Sequence, residues 1–193
     1  MQNKLAMQNF VLGLLNNKLS KFYYYHNAPH TMYVVNKAIE IAEHEKCTAE
    51  EIDLISVAAL WHDAGYINTY AGHEEESCML AKKYLPEYGY SFKAIETICG
   101  MIMATKIPQS PKNLLEQIIA DADLEYLGTP AAGKTATELY KELKYINPLL
   151  TKAQWHKIQI KFLQQHHYFT NYCKTKREPS KQAYLKKIKA VKK

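Results

Sequence analysis

The run Ile55-Ser56-Val57-Ala58-Ala59-Leu60-Trp61 ends on His62-Asp63-Ala64-Gly65. It is nearly all apolar and shows no alternation, so it reads as a helix enclosed on all sides by the core of a domain. A helix of that kind needs other helices around it. Two polar, metal-binding side chains at its buried end are costly unless something pairs with them, and a bound cation is the simplest partner. Alone the dipeptide is weak evidence, because a chain with eight histidines and the aspartates Asp53, Asp63, Asp121 and Asp123 produces such pairs by chance.

The rest of the chain supplies the surrounding helices. Leu5 to Leu19 carries Phe10, Val11, Leu14 and Leu15 on one stripe. Phe22 to Asn27 is a connector whose tyrosines, Tyr23, Tyr24 and Tyr25, are expected to pack inward. Pro29 suits the first position of a helix reaching Glu45, with His30 in its first turn. Thr48 and Glu51 have capping-box spacing, and Gly65 is a plausible stop for the helix they open. A fourth helix opens at His73-Glu74-Glu75-Glu76, and Ser91 caps a fifth. A sixth carries Leu114, Leu115, Ile118 and Ile119 into Asp121-Ala122-Asp123 and is expected to end at Gly128. A seventh covers about 131–145. Thr151 and Gln154 start a long helix to about Lys176, and Pro179 opens a last, basic one. Glycine and proline number only seven each, and no stretch alternates as a strand would, so the expected class is all-α. At 193 residues, without linker or repeat, one domain is expected over 1–193, with its core at about 10–170 and a basic terminal helix at about 174–193.

Composition narrows the function classes. Cys47, Cys78, Cys99 and Cys173 are far apart and form no C-x-x-C pair, as expected of reduced thiols in a cytoplasmic protein. No apolar run is long enough to span a membrane, and the first twenty residues lack a signal peptide's apolar block and cleavage site. The net charge of +6 is carried by the tail: residues 174–193 hold nine Lys or Arg against Glu178 alone. A solvated terminal helix explains that, so neither nucleic acid nor a membrane is expected as partner. Oligomeric state is open.

Asp63, Asp121 and Asp123 each follow an apolar helical run, and buried carboxylates need partners. His30, His62, Asp63 and a later aspartate would form a mixed nitrogen and oxygen site suited to Mn, Fe, Zn or Mg. On the residues alone, the alternative stays open that His30 and His62 are satisfied core histidines and the aspartates caps or ion pairs.

The order His30, then His62-Asp63, then Asp123 resembles the HD superfamily of metal-dependent phosphohydrolases. So do the strings Tyr25-His26-Asn27-Ala28-Pro29-His30-Thr31, Ala58 to Tyr66, His73-Glu74 with Ser77, Met103-Ala104-Thr105 with Pro108, and Asp121 to Gly128. Trp155, Gln159, Phe162-Leu163, His166 and Tyr168-Phe169-Thr170 are similar to the closing segment of one bacterial subgroup. The resemblance implies a helical bundle around one divalent ion held by His30, His62, Asp63 and Asp123, with Asp121 supporting a ligand or fixing its helix. Tyr25 to His30 is also similar to a string in cyclic-nucleotide phosphodiesterases, which implies His26 as general acid. Pro29 should push Ala28 out of helical geometry, leaving His26 before the helix. His73 and Glu74 fall where related proteins place residues that contact substrate or assist water. Thr105 stands where a two-metal relative would carry a histidine, which sets against a dinuclear centre and iron-oxygenase chemistry.

The remaining candidates read as ordinary residues. Lys82, Lys83 and Lys106 are more in keeping with solvated lysines than with phosphate contacts. Tyr126 and Trp155 read as core, His166 as core or support, and His44 and His156 as surface. The implied function is a phosphohydrolase acting on a small phosphorylated compound, a nucleotide being the first expectation. A metal-containing HD module that binds a ligand or partner without turnover is the alternative.

Overall fold

Six helix starts coincide with side chains able to satisfy the free backbone N–H groups of a first turn. The chain was examined as a computed structural model, which describes residues 2–190. Helix α1 spans Gln2–Lys18, α2 Ala28–His44, α3 Ala49–Trp61, α4 His73–Tyr84, α5 Phe92–Ala104, α6 Leu114–Asp123, α7 Ala132–Ile146, α8 Lys152–Gln165, α9 Asn171–Lys176 and α10 Glu178–Ala190. Single 3-10 turns, Ala64–Ile67, Leu85–Tyr88 and Glu125–Gly128, follow α3, α4 and α6. No strand occurs among the described residues, so the class is all-α, as expected. Asn27, Thr48, Ser91, Asn113, Thr151 and Thr170 each accept a backbone N–H three residues on, and Thr48 and Thr151 form full capping boxes. Each cap contributes about 1 kcal/mol.

The apolar run does what its composition demands. Residues 55–61 are all buried, and Trp61 packs against Phe10 of α1 and Tyr84 of α4, which also touch each other. Helix α3 packs on α2, α5 and α6, so its polar end is delivered to the middle of the molecule. A second, smaller apolar cluster joins Tyr25, Leu124, Tyr126 and Leu127 to Leu163 of α8 and Leu185 of α10. The site lies where the two clusters meet.

Several expectations are corrected. The first helix begins at Gln2 and not Leu5. Of the three tyrosines only Tyr25 is buried, and Tyr24 is exposed. Helix α2 opens at Ala28, so Pro29 takes the second position, and Asn27 in extended geometry is the cap. Gly65 is no left-handed stop; it lies inside a 3-10 turn pressed against α4, where a Cβ would stand 2.1 Å from the His73 carbonyl oxygen. Helix α6 ends at Asp123, and Gly128 closes the next turn against Arg177.

The long helix expected from Thr151 to Lys176 breaks after Gln165, because tertiary bonds outcompete it. Asp121 accepts from the Phe169 and Thr170 backbone N–H groups and the Thr170 hydroxyl, and Tyr168 donates its hydroxyl to the Leu124 carbonyl. The terminal basic helix is not wholly solvated: Lys181 and Leu185 are buried, while residues 191–193 lie outside the described residues. No helix among the described residues is long and apolar enough to cross a membrane. All four cysteines are free.

Candidate metal centre

Three helix ends converge on one point. The Asn27 cap fixes the first turn of α2 by accepting from the His30 N–H at 3.0 Å, which sets the direction of the His30 side chain. Helix α3 delivers His62 and Asp63 just past its C-terminus, and α6 delivers Asp123 as its last residue. Asp121, two positions earlier, points to the opposite side of α6 and anchors the start of α9. The sequence left Asp121 either supporting a ligand or fixing its helix; its bonds are of the second kind.

The donor atoms of His30, His62 and Asp123 all lie within 4.8 Å of one another. Asp63 stands at the edge of that group, its Oδ2 3.1 Å from His62 Nε2 and 3.4 Å from His30 Nε2. His30 Nε2, His62 Nε2 and Asp63 Oδ2 are buried and have no hydrogen-bond partner. Buried polar groups are rarely left so, and three at one point mark a place shaped for something that accepts their lone pairs. His62 Nδ1 lies 2.8 Å from the Ala59 carbonyl, to which it can only donate, so its Nε2 is held as an acceptor facing the centre. Two neutral imidazoles and two carboxylates carry a charge of −2, which a divalent cation balances. With the cation left out, burial pulls the His62 pKa down, but the Asp63 and Asp123 carboxylates outweigh it and hold the pKa well above the usual histidine range. The donor set therefore fits a cation, and without one it recruits protons.

His26 comes from the connector before α2, as expected. Its Nδ1 pairs with the Glu142 carboxylate, and its Nε2 lies 3.1 Å from the Tyr66 hydroxyl. Glu142, on α7, is fully buried and also accepts from the Tyr25 and His26 backbone N–H groups, at 2.9 and 3.1 Å. Burial lowers the His26 pKa, yet the Glu142 bond and the Asp63 charge leave it raised overall. Sequence reasoning missed Glu142. The available signal was an acid bordering the stripe Ala132, Ala136, Leu139 and Leu143, where an amphipathic helix turns inward.

His73 opens α4 after Gly72, whose φ of +74° turns the chain there. Its ring stacks on Tyr66, its Nδ1 meets the Tyr70 carbonyl at 3.2 Å, and its Nε2 faces Asp63 Oδ1 at 3.7 Å. Burial holds its pKa below the usual histidine value, although Asp63 and Glu74 pull the other way. Glu74 is buried beside it, its Oε2 3.5 Å from His73 Nδ1. The seven residues singled out for a site thus share one neighbourhood. Lys106 and Lys82 do not join it: they pair with Glu75 and Glu96. Thr105 lies nearby, its hydroxyl donating to the Ile102 carbonyl.

A cavity of about 250 Å3 opens from this centre toward α7 and α8. Tyr126 is buried in the second apolar cluster, as expected, and also lines the cavity; Trp155, expected as core, is half-buried and lines it too.

Comparison with known families places a match over the four residues that surround the metal centre, His30, His62, Asp63 and Asp123, but not over His26 or Glu142. The sequence model of the family described as HD domain covers 28–125, just over half of the chain. Among solved structures, a predicted HD superfamily hydrolase from an uncultured Thermotogales bacterium is similar in fold: TM-score 0.55 at 22% identity, covering 81% of this chain and 89% of the other. A comparison with curated proteins finds no match.

Proposed function

The chain belongs to the HD domain family, and on that premise we propose that it is a metal-dependent phosphohydrolase of small phosphate esters. The observation that carries the reading is the meeting of three unpartnered buried donor atoms, on His30, His62 and Asp63, beside a histidine pinned by a buried glutamate. His30, His62, Asp63 and Asp123 would hold one divalent ion of the Mn, Fe, Zn or Mg kind. Such an ion, when bound, supplies Lewis acidity toward a phosphoryl oxygen and lowers the pKa of water.

The chain's own residues supply the proton chemistry. The Glu142 carboxylate accepts a hydrogen bond from His26 Nδ1–H and raises the imidazole pKa, which keeps a second proton at Nε2 for a departing oxygen. His73 donates Nδ1–H to the Tyr70 carbonyl, and its lowered pKa keeps Nε2 free to accept a proton from water. Glu74 lies against the His73 ring and steadies it. The proton chemistry asks only for a phosphate ester; the nucleotide expected from the family resemblance depends on what the cavity beside the site can hold.

The test is to strip the protein with a chelator, reload it with each ion, and screen nucleotides and simple phosphate esters. Ion-dependent turnover that vanishes in His26→Ala, with the ion still bound, is the expected result. A folded protein that binds the ion and turns over nothing would overturn the catalytic reading and leave a ligand-binding module.

A further inference from the structure

We propose that the ester cleaved here carries a single phosphoryl group on a compact apolar or aromatic body, and is neither a nucleotide nor a polyphosphate. The inference rests on the phosphohydrolase reading of the same site.

The cavity is two-sided. Its polar end is the site itself. Its other wall is Tyr126, Trp155, Phe162 and Tyr184, closed by aliphatic side chains such as Leu127 and Leu139. Aromatic walls of this kind favour flat or apolar groups through offset and edge contacts. A nucleoside would place ribose hydroxyls and base edges there, and the wall offers them little. The Thr105 hydroxyl is already donated to the Ile102 carbonyl and Gln159 Oε1 already accepts from Tyr184 at 3.3 Å, so the Gln159 amide N–H groups and the Trp155 indole N–H would have to meet three or more ribose and base groups. A buried polar group left without a partner costs about 1–3 kcal/mol, so several would forfeit binding.

Size and charge point the same way. A volume of about 250 Å3 lies below the roughly 300–1,000 Å3 usual for ligand pockets, so the body is small. Among the described residues, neither lysine nor arginine lines the cavity, while Asp63, Glu74 and Asp123 do. A divalent ion offsets the two aspartates, and Glu142 already pairs with His26. One phosphoryl group can be met by the ion and His26; each further phosphate would face carboxylates with no cation to answer it. In the reaction, water oxygen bonds to phosphorus and gives one proton to His73. The phosphorus–oxygen bond to the body breaks, and the proton on His26 Nε2 goes to the departing oxygen. Inorganic phosphate and an apolar alcohol leave.

The experiment compares esters whose leaving oxygens are similar but whose bodies differ. In such pockets a single methylene changes discrimination by roughly 10–200-fold. With metal-loaded protein, kcat/KM for benzyl phosphate is expected to exceed that for ethyl phosphate and for AMP by at least about 100-fold. Calorimetry should show the same ratio in affinity between benzylphosphonate and methylphosphonate, which are not hydrolysed. Ala136→Trp, filling the cavity from the half-buried face of α7, should reduce the benzyl preference over ethyl phosphate at least about tenfold, and an unchanged preference would overturn the inference. Turnover that ignores the body, or that favours AMP or ATP, overturns the inference and leaves the phosphohydrolase reading standing. If no ester is cleaved, the catalytic reading falls and the phosphonates still decide: equal affinities overturn the inference, and a strong benzyl preference supports it.

Discussion

Glu142 is fully buried, and its carboxylate meets the connector three ways: through the His26 ring Nδ1 and through the Tyr25 and His26 backbone N–H groups. Its role is to position His26 and hold its charge, so Glu142→Gln changes the chemistry at nearly constant shape. The amide can still accept from the Tyr25 and His26 N–H groups but no longer balances an imidazolium. A well-placed general acid contributes roughly 10²–10⁴-fold, and kcat in Glu142→Gln is expected to fall within that range. Bound metal, measured by elemental analysis, should remain near wild type, and loss of metal along with activity would refute the assignment. This residue also shows where reading a sequence stops. His62, Asp63 and Asp123 could be singled out because each sits at a helix end where an apolar run gives way to a ligand type, and His30 because its string resembles that of the family. Glu142 stands mid-helix among lysines and tyrosines, and only the packing of α7 over the connector gives it meaning.

At the scale of elements, caps and stripes were legible because they are local. What was not legible were places where one element forces the shape of another. The turn Ala64–Ile67 is one: Gly65 N–H donates to Ser77 Oγ at 2.8 Å, and Ser77 donates on to the His62 carbonyl at 2.6 Å. The turn is thereby clamped to α4, with the Asp63 and His73 side chains on either side. Gly65→Ala must push α4 away, and overpacking of this kind costs about 1–3 kcal/mol. Urea unfolding should show that loss, together with weaker metal binding; a variant as stable as wild type would mean the turn has slack.

The break between α8 and α9 is another such place. His166 lies there with Lys181 of α10 donating to its Nδ1 at 3.0 Å. Burial, then the Lys181 charge, pushes the imidazole pKa down to about 3. The unfolded chain takes up this proton near the ordinary value of 6.5, so the folded state alone refuses it between those limits. Stability from this group is therefore complete above pH 6.5 and declines as pH falls toward 3. His166→Asn should make the fall in unfolding free energy between pH 6.5 and 4.5 shallower by about 1.4 kcal/mol per unit at most. Equal slopes would show that His166 titrates freely.

For the molecule as a whole, the division of labour follows the two apolar clusters. Residues within the family match, 28–125, carry His30, His62, Asp63 and Asp123, and their cluster holds the helices that aim them. The wall beyond, from the turn after α6 and from α7, α8 and α10, lies outside that match, and its Tyr126, Leu127, Leu139, Phe162 and Tyr184 belong to the second cluster. Wall composition was visible in the sequence only as scattered aromatics, because which of them face a cavity depends on how α8 crosses the site. A cation at the junction would tie together helix ends that otherwise meet through unpartnered atoms and facing carboxylates. It binds the folded chain alone, so an ion at 100 times its Kd stabilises by about 2.7 kcal/mol. For a chain of this length that raises Tm by roughly 5–10 °C. Thermal unfolding with and without chelator should show the difference, and Asp123→Ala should abolish it while leaving a fold of native helix content. Asp123 is the ligand to remove, because its side chain is the most exposed of the four and its loss leaves the smallest buried defect. Should metal-free protein melt at the same temperature as loaded protein, the convergence of those four side chains would not be a cation site.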